Sequence, residues 1–132
     1  MAVMGFREPN RARWVGVRPA HDGAEVYNKA DATNATVVVY TVPAGKVLHL
    51  TSLHVCSRAT LAAGEVIVDI RNAAHVIQVS PFDHYYAAVG QMSDDISFWP
   101  PMELPAGWEI AVRSTNANSW GCLFVRGWIE NA

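Results

Sequence analysis

Histidines are the first residues of this chain whose type and spacing suggest chemistry. The chain has five, and His49 and His54 lie nearest each other within one predicted strand. Two imidazoles on one face could bind a transition metal, but an odd and an even position of a regular strand face opposite ways. A bulge between them would be needed, and no third histidine or carboxylate follows at a suitable spacing. We therefore predict no metal site and no cofactor.

Aspartates suggest a second chemistry, since Asp94 and Asp95, with Asp83, resemble a carboxylate pair for hydrolysis or Ca²⁺ binding. Adjacent aspartates before a strand more commonly accept backbone N–H groups in a turn. A Ca²⁺ ion also requires several spaced oxygen ligands, which are missing. No Gly-x-Ser-x-Gly elbow is present for a serine nucleophile. The sequence thus predicts no catalytic residue, and we expect a protein that is not an enzyme.

Aromatic residues suggest a third chemistry, because exposed rings stack on sugars. Tyr85 and Tyr86, together with Trp99, Trp108 and Trp120, could form such a platform on a lectin-like sandwich. The same residue types more commonly fill cores and subunit contacts. Carbohydrate binding is therefore an alternative and not the main prediction.

The N-terminal segment is locally basic, with four arginines against Glu8 in its first eighteen residues. The arginines alternate with apolar residues and proline, so they form no continuous patch for nucleic acid. A net charge of -2 also gives no general attraction to nucleic acid or to an anionic membrane. We predict that residues 1–35 form an extended arm that docks on another protein. The predicted contact residues are Arg7, Arg11, Arg13, Trp14 and Arg18.

Two Pro-Ala-Gly turns indicate the architecture that positions these residues. They lie at 43–45 and 105–107, and each follows an apolar residue and precedes an alternating strand. Proline sets φ for a turn, and the glycine accepts a positive φ. The apolar period after each turn is two, which is typical of half-buried strands. We predict one all-β domain over 36–132, an antiparallel jelly roll or related β-sandwich.

Seven strands are predicted from residue 36 onward, without a convincing helix between them. Within 46–57 the apolar positions change from even to odd numbers, which a bulge near Thr51 and Ser52 would explain. Such a bent strand lets a sheet wrap around a sandwich. The predicted strands are 36–42, 46–57, 64–71, 75–80, 96–104, 107–115 and 119–130.

The last predicted strand is apolar on both faces, and only one face can pack on the core. The other face requires cover from the arm or from another subunit. Only 17% of the residues are charged, against a typical share of about 25%. We therefore predict an oligomer, most simply a homotrimer. The predicted interface residues are Trp108, Trp120, Phe124 and Trp128.

Cys56 and Cys122 are too few for a disulfide-rich scaffold, and each lies in a predicted strand. We predict that both are reduced thiols packed as small apolar groups. No apolar stretch approaches the roughly 20 residues of a membrane span. Residues 1–6 are too short for a signal sequence, so we expect cytosolic synthesis and no membrane partner.

Three segments together resemble the small jelly-roll structural proteins of tailed bacteriophages. They are Thr-Val-Pro-Ala-Gly-Lys-Val-Leu-His-Leu-Thr-Ser-Leu at 41–53, Phe-Trp-Pro-Pro-Met-Glu-Leu-Pro-Ala-Gly-Trp-Glu-Ile at 98–110, and Val-Arg-Gly-Trp-Ile-Glu at 125–130. That group includes head decoration (cement) proteins and the β-sandwich domains of head and tail fibres. The resemblance covers the chain from about residue 36 and implies a trimer without an active site, seated on the outside of a capsid.

From this resemblance we expect a viral structural protein of the virion. It would bind between subunits of the major capsid protein and stabilise the shell against the pressure of the packaged genome. One alternative is the receptor- or carbohydrate-binding head of a phage tail or head fibre. Another is a cupin-like enzyme, although the compact histidine and glutamate group of a cupin metal site is missing.

Overall fold

A computed structural model describes residues 23–132, and eight β-strands account for most of this range. Within it no helix is present, and so none is long and apolar enough to cross a membrane. The all-β class predicted from the sequence is confirmed. The strands are β1 (Ala24–Thr33), β2 (Thr36–Thr41), β3 (Lys46–Ala59), β4 (Gly64–Arg71), β5 (Ile77–Tyr86), β6 (Gly90–Leu104), β7 (Glu109–Ser114) and β8 (Ser119–Asn131).

The strands form two four-stranded antiparallel sheets that pack together as a β-sandwich. Sheet A has the order β1-β8-β3-β6, and sheet B has the order β2-β7-β4-β5. Strand β1 pairs with β8, β2 with β7, β3 with β6 and β4 with β5. The chain therefore runs as one long antiparallel hairpin that is folded over into two layers.

Strand β3 shows how a change of apolar phase is accommodated. Leu48 and Leu50 are fully buried on even positions, whereas Leu53 and Val55 are buried on odd positions. The register of β3 shifts between Leu50 and Ser52 against both of its neighbours, β6 and β8. The bulge predicted from the sequence is confirmed, and it keeps the apolar side chains of both halves in the core.

The two Pro-Ala-Gly turns lie side by side at one end of the sandwich. Gly45 has a φ of 73° and Gly107 a φ of 84°, as the left-handed turn position requires. The amide of Val42 donates to the carbonyl of Trp108 (2.8 Å), and the amide of Gly107 donates to the carbonyl of Val42 (2.9 Å). The repeated motif thus forms a hydrogen-bonded pair of turns.

The predicted boundary between arm and domain at residue 35 is wrong for the segment 24–33. This segment is strand β1, which pairs with β8 from Ala24↔Ile129 to Thr33↔Trp120. Few apolar residues mark it, because β1 is an edge strand that buries only Val26 and Ala32. The predicted arm contacts lie outside the described residues: Arg7, Arg11, Arg13, Trp14 and Arg18.

Candidate functional site

An aromatic row lies along the outer face of β8, the strand second from one edge of sheet A. Leu123 and Val125 are fully buried in the core, so the even-numbered residues point away from it. The row is defined by Trp120, Phe124 and Trp128, with Cys122 and Arg126 between them.

Side chains of β1 and β3 cover much of the aromatic row. The guanidinium of Arg58 lies 4.8 Å from the ring centre of Trp120. The ring of His54 lies 5.6 Å from that of Phe124, on which Lys29 and Tyr27 also pack. The ring of His49 stacks on Trp128 at 5.0 Å.

Three of the four predicted interface residues therefore share one face, and the fourth does not. Trp120 and Phe124 are half-buried, while Trp128 is only 5% exposed. Trp108 lies between β6 and β7, where it packs against the core. Whether these residues contact another subunit stays a prediction.

The bulge in β3 brings His49 and His54 to the same outer face, since they pair with Trp128 and Phe124 of the aromatic row. Each histidine lies beside a carboxylate of β6: Nδ1 of His49 is 3.8 Å from Glu103, and Nδ1 of His54 is 2.5 Å from Asp95. Among residues 23–132, no three histidine, cysteine or acidic side chains are placed to hold a metal ion.

Asp94 and Asp95 lie in the middle of strand β6 and not in a turn, which corrects the interpretation from the sequence. Asp95 pairs with His54, and Asp94 pairs with Val55, whose side chain is in the core. The two aspartates therefore point to opposite faces.

Nε2 of His54 also lies 3.3 Å from Sγ of Cys56, so Asp95, His54 and Cys56 form a hydrogen-bonded line.

Sheet B carries buried charges on its outer face. Asp69 is 1% exposed, and it accepts hydrogen bonds from Nε of Arg113 (2.5 Å) and Oγ of Ser80 (2.6 Å). Glu109 is 3% exposed, and it accepts hydrogen bonds from Arg71 (2.9 Å) and His75. Both carboxylates are hydrogen-bonded to side chains of neighbouring segments. We therefore interpret these buried contacts as structural links within sheet B.

The surroundings of two glutamates of sheet B, Glu109 and Glu65, shift their pKa values in opposite directions. Burial acts to raise the pKa of Glu109, but hydrogen bonds from His75 and Arg71 outweigh it and hold that pKa below its ordinary value. A hydrogen bond to Asp83, together with burial, raises the pKa of Glu65. The partner of Asp83 is therefore Glu65 of β4, and not the aspartate pair of β6.

One side of the sandwich is open, between the edge strands β5 and β6. Val79 pairs with the fully buried Ile70 and points to the same side, yet it is 44% exposed. Asp94 points inward at the opposite edge and is exposed. We call this region the open side. Large apolar residues exposed along these strands and the loops beside them are Val76, Ile77, Val79, Tyr85, Val89, Met92 and Trp99.

The predicted sugar platform does not form as one surface. Tyr86 is 4% exposed, and its hydroxyl is hydrogen-bonded to Ser57 at 2.6 Å. Tyr85 belongs to sheet B, whereas Trp99 belongs to sheet A. A different groove beside the β3 bulge is bordered by the exposed rings of Tyr27 and Trp99. Thr51, Ser52, Ser97 and Arg126 also line it.

Comparison of the chain with known proteins finds no matching family model and no matching curated protein.

Proposed function

We propose that this protein is a non-enzymatic structural protein of a bacteriophage virion. It binds as a homotrimer to the outer surface of the major capsid lattice and stabilises the head as a decoration (cement) protein. The fold proposed with it is a jelly roll, and the strand order supports this. Pairing β1 with β8, β2 with β7, β3 with β6 and β4 with β5 is what results when one eight-stranded hairpin is rolled into two sheets.

The main observation in support of this proposal is the exposed apolar surface of the open side. An unpaired edge strand with apolar side chains is a surface that proteins normally cover. Val79 and Met92 are 44% and 40% exposed on the two edge strands, which is unfavourable for a chain that stays alone in water. We place contacts between copies of this chain on the open side.

The alternative function is a receptor- or carbohydrate-binding head of a tail or head fibre. The groove beside the β3 bulge favours it, because two exposed rings border a set of hydroxyl groups and Arg126. The guanidinium of Arg126 lies 5.3 Å from the ring centre of Tyr27 and so holds one wall of the groove.

Electron microscopy of virions with and without this chain separates the two functions. The decoration function predicts extra density at repeated positions over the capsid lattice, and deletion of residues 1–18 should remove it without lowering the melting temperature of the protein. Density at a fibre or tail tip alone would refute the decoration function and support the alternative.

A further inference from the structure

Cys56 has a base beside it on the outer face of sheet A. A carboxylate only accepts hydrogen bonds, so the 2.5 Å contact with Asp95 places the proton of His54 on Nδ1. The other ring nitrogen, Nε2, then presents a lone pair to Sγ of Cys56 at 3.3 Å. An imidazole oriented in this way can take the thiol proton and generate the reactive thiolate.

A second thiol lies across the β3–β8 ladder from the first. Cys122 is the register partner of Cys56, and both are free cysteines. Opposed residues of antiparallel strands have Cα atoms about 4.5–5.5 Å apart, which is within the range of about 4.4–6.8 Å that a disulfide spans. Burial and a hydrogen bond with Asp31 raise the pKa of Cys122 to about 11, so this thiol keeps its proton.

We propose that Cys56 and Cys122 are a redox-active pair that undergoes thiol–disulfide exchange with small disulfides. The Cys56 thiolate attacks one sulfur of the small disulfide, whose S–S bond breaks, and the leaving thiolate takes the proton from His54. The sulfur of Cys122 then attacks Sγ of Cys56, the bond between Cys56 and the small thiol breaks, and the departing small thiolate takes the proton of Cys122. The two protein thiols are oxidised to one disulfide, and the small disulfide is reduced to two thiols.

The surroundings of Cys56 determine which thiol reacts first and with what. Cys56 is half-buried in an open groove that Arg58, Ser93 and Trp120 also line, whereas Cys122 is 5% exposed. Entry through this groove reaches Cys56 before Cys122. Arg58 gives the groove a positive charge, which suits a disulfide that carries carboxylates, such as glutathione disulfide.

The first test uses the reduced full-length protein with glutathione disulfide as the probe. After acid quenching, mass spectrometry of an unreduced digest should find a peptide linked through Cys56 and Cys122. Cys122→Ser should stop at a mixed disulfide on Cys56, and Cys56→Ser should react far more slowly. The absence of the linked peptide, or equal reaction of both single variants, would overturn the proposal.

The second test addresses Asp95, which acts through His54 and is a positioning residue. Asp95→Asn should slow formation of the mixed disulfide about fivefold in the Cys122→Ser background, because the imidazole loses its orientation. Asp94→Asn is the matched control, since Asp94 is the adjacent residue and points to the other face of β6. Melting curves of both variants should match the parent, as both side chains are exposed. Equal rates for the two variants would show that His54 does not activate Cys56.

Discussion

Glu109 is the residue whose ionisation we expect to matter most for stability. Its carboxylate is nearly inaccessible to water and accepts hydrogen bonds from Arg71 and His75, which hold its pKa below the ordinary value. A group whose pKa is lowered by folding stabilises the protein above its unfolded pKa, about 4.3 for glutamate. This stabilisation is lost as the pH falls through the folded pKa.

Glu109→Gln should therefore reduce the free energy of unfolding by about 3–5 kcal/mol near neutral pH, because Arg71 loses a buried partner. The difference from the parent protein should shrink as the pH falls below about 4. Urea denaturation across this pH range measures both effects. Glu103→Gln is the control, since Glu103 is 70% exposed beside His49, and its effect should stay within about 0.5 kcal/mol. A pH-independent difference would contradict the linkage.

Strand β8 is the element on which sheet A depends, since it pairs with β1 on one side and with β3 on the other. Gly127 lies beside the β3 bulge, and a Cβ atom there would meet the backbone carbonyl of His49. The backbone of β3 comes close to β8 at the bulge, and only a residue without a side chain leaves room for it there.

Gly127→Ala should lower the melting temperature strongly, because backbone atoms cannot move aside as a flexible side chain can. Gly90→Ala is the matched control at the start of β6, where the nearest atom to an added Cβ is 3.6 Å away, an ordinary contact. Thermal unfolding followed by circular dichroism compares the two variants. Equal melting temperatures would show that β3 and β8 can separate without loss of the sheet.

Over residues 23–132, the sandwich has one closed side and one open side. Strands β1 and β2 contact each other across the sandwich, while the edge strands β5 and β6 leave inward-pointing residues exposed. Exposed apolar surface of this kind is normally covered by another copy or by a partner. Asp94 adds a charge at this edge, which disfavours unlimited edge-to-edge pairing and is compatible with a closed assembly.

Light scattering of the purified protein should therefore give about three times the chain mass of 14.4 kDa. Val79→Ser should shift the protein toward the monomer, since it makes an exposed apolar position of the open side polar. Val38→Ser is the matched control, because Val38 is 41% exposed but lies on β2, at the opposite edge of sheet B from β5. A monomeric parent protein, or equal effects of both variants, would contradict an oligomer built on this surface.

Patterns along single strands accounted for much of this fold. Apolar periodicity predicted the bulge near Thr51 and a strand within each of the seven found from residue 36 onward, because burial on one face of a strand repeats every second residue. Strand β5 was ended six residues early, since the prediction stopped at residue 80 and the strand runs to Tyr86. Strand β1 was missed because an edge strand buries few residues and leaves a weak pattern. Strand β6 was begun six residues late, because the polar residues Ser93, Asp94 and Asp95 resemble a turn.

The sequence by itself determined the fold class, the two separate Pro-Ala-Gly turns and the two-faced apolar character of β8, since these depend on neighbours along the chain. The tertiary structure decided which distant residues meet. Asp95 reaches His54, and Cys122 faces Cys56, only through the register of β3 with β6 and with β8. Register arises from pairing between strands far apart in the chain and shifts at each bulge, so no local pattern specifies it.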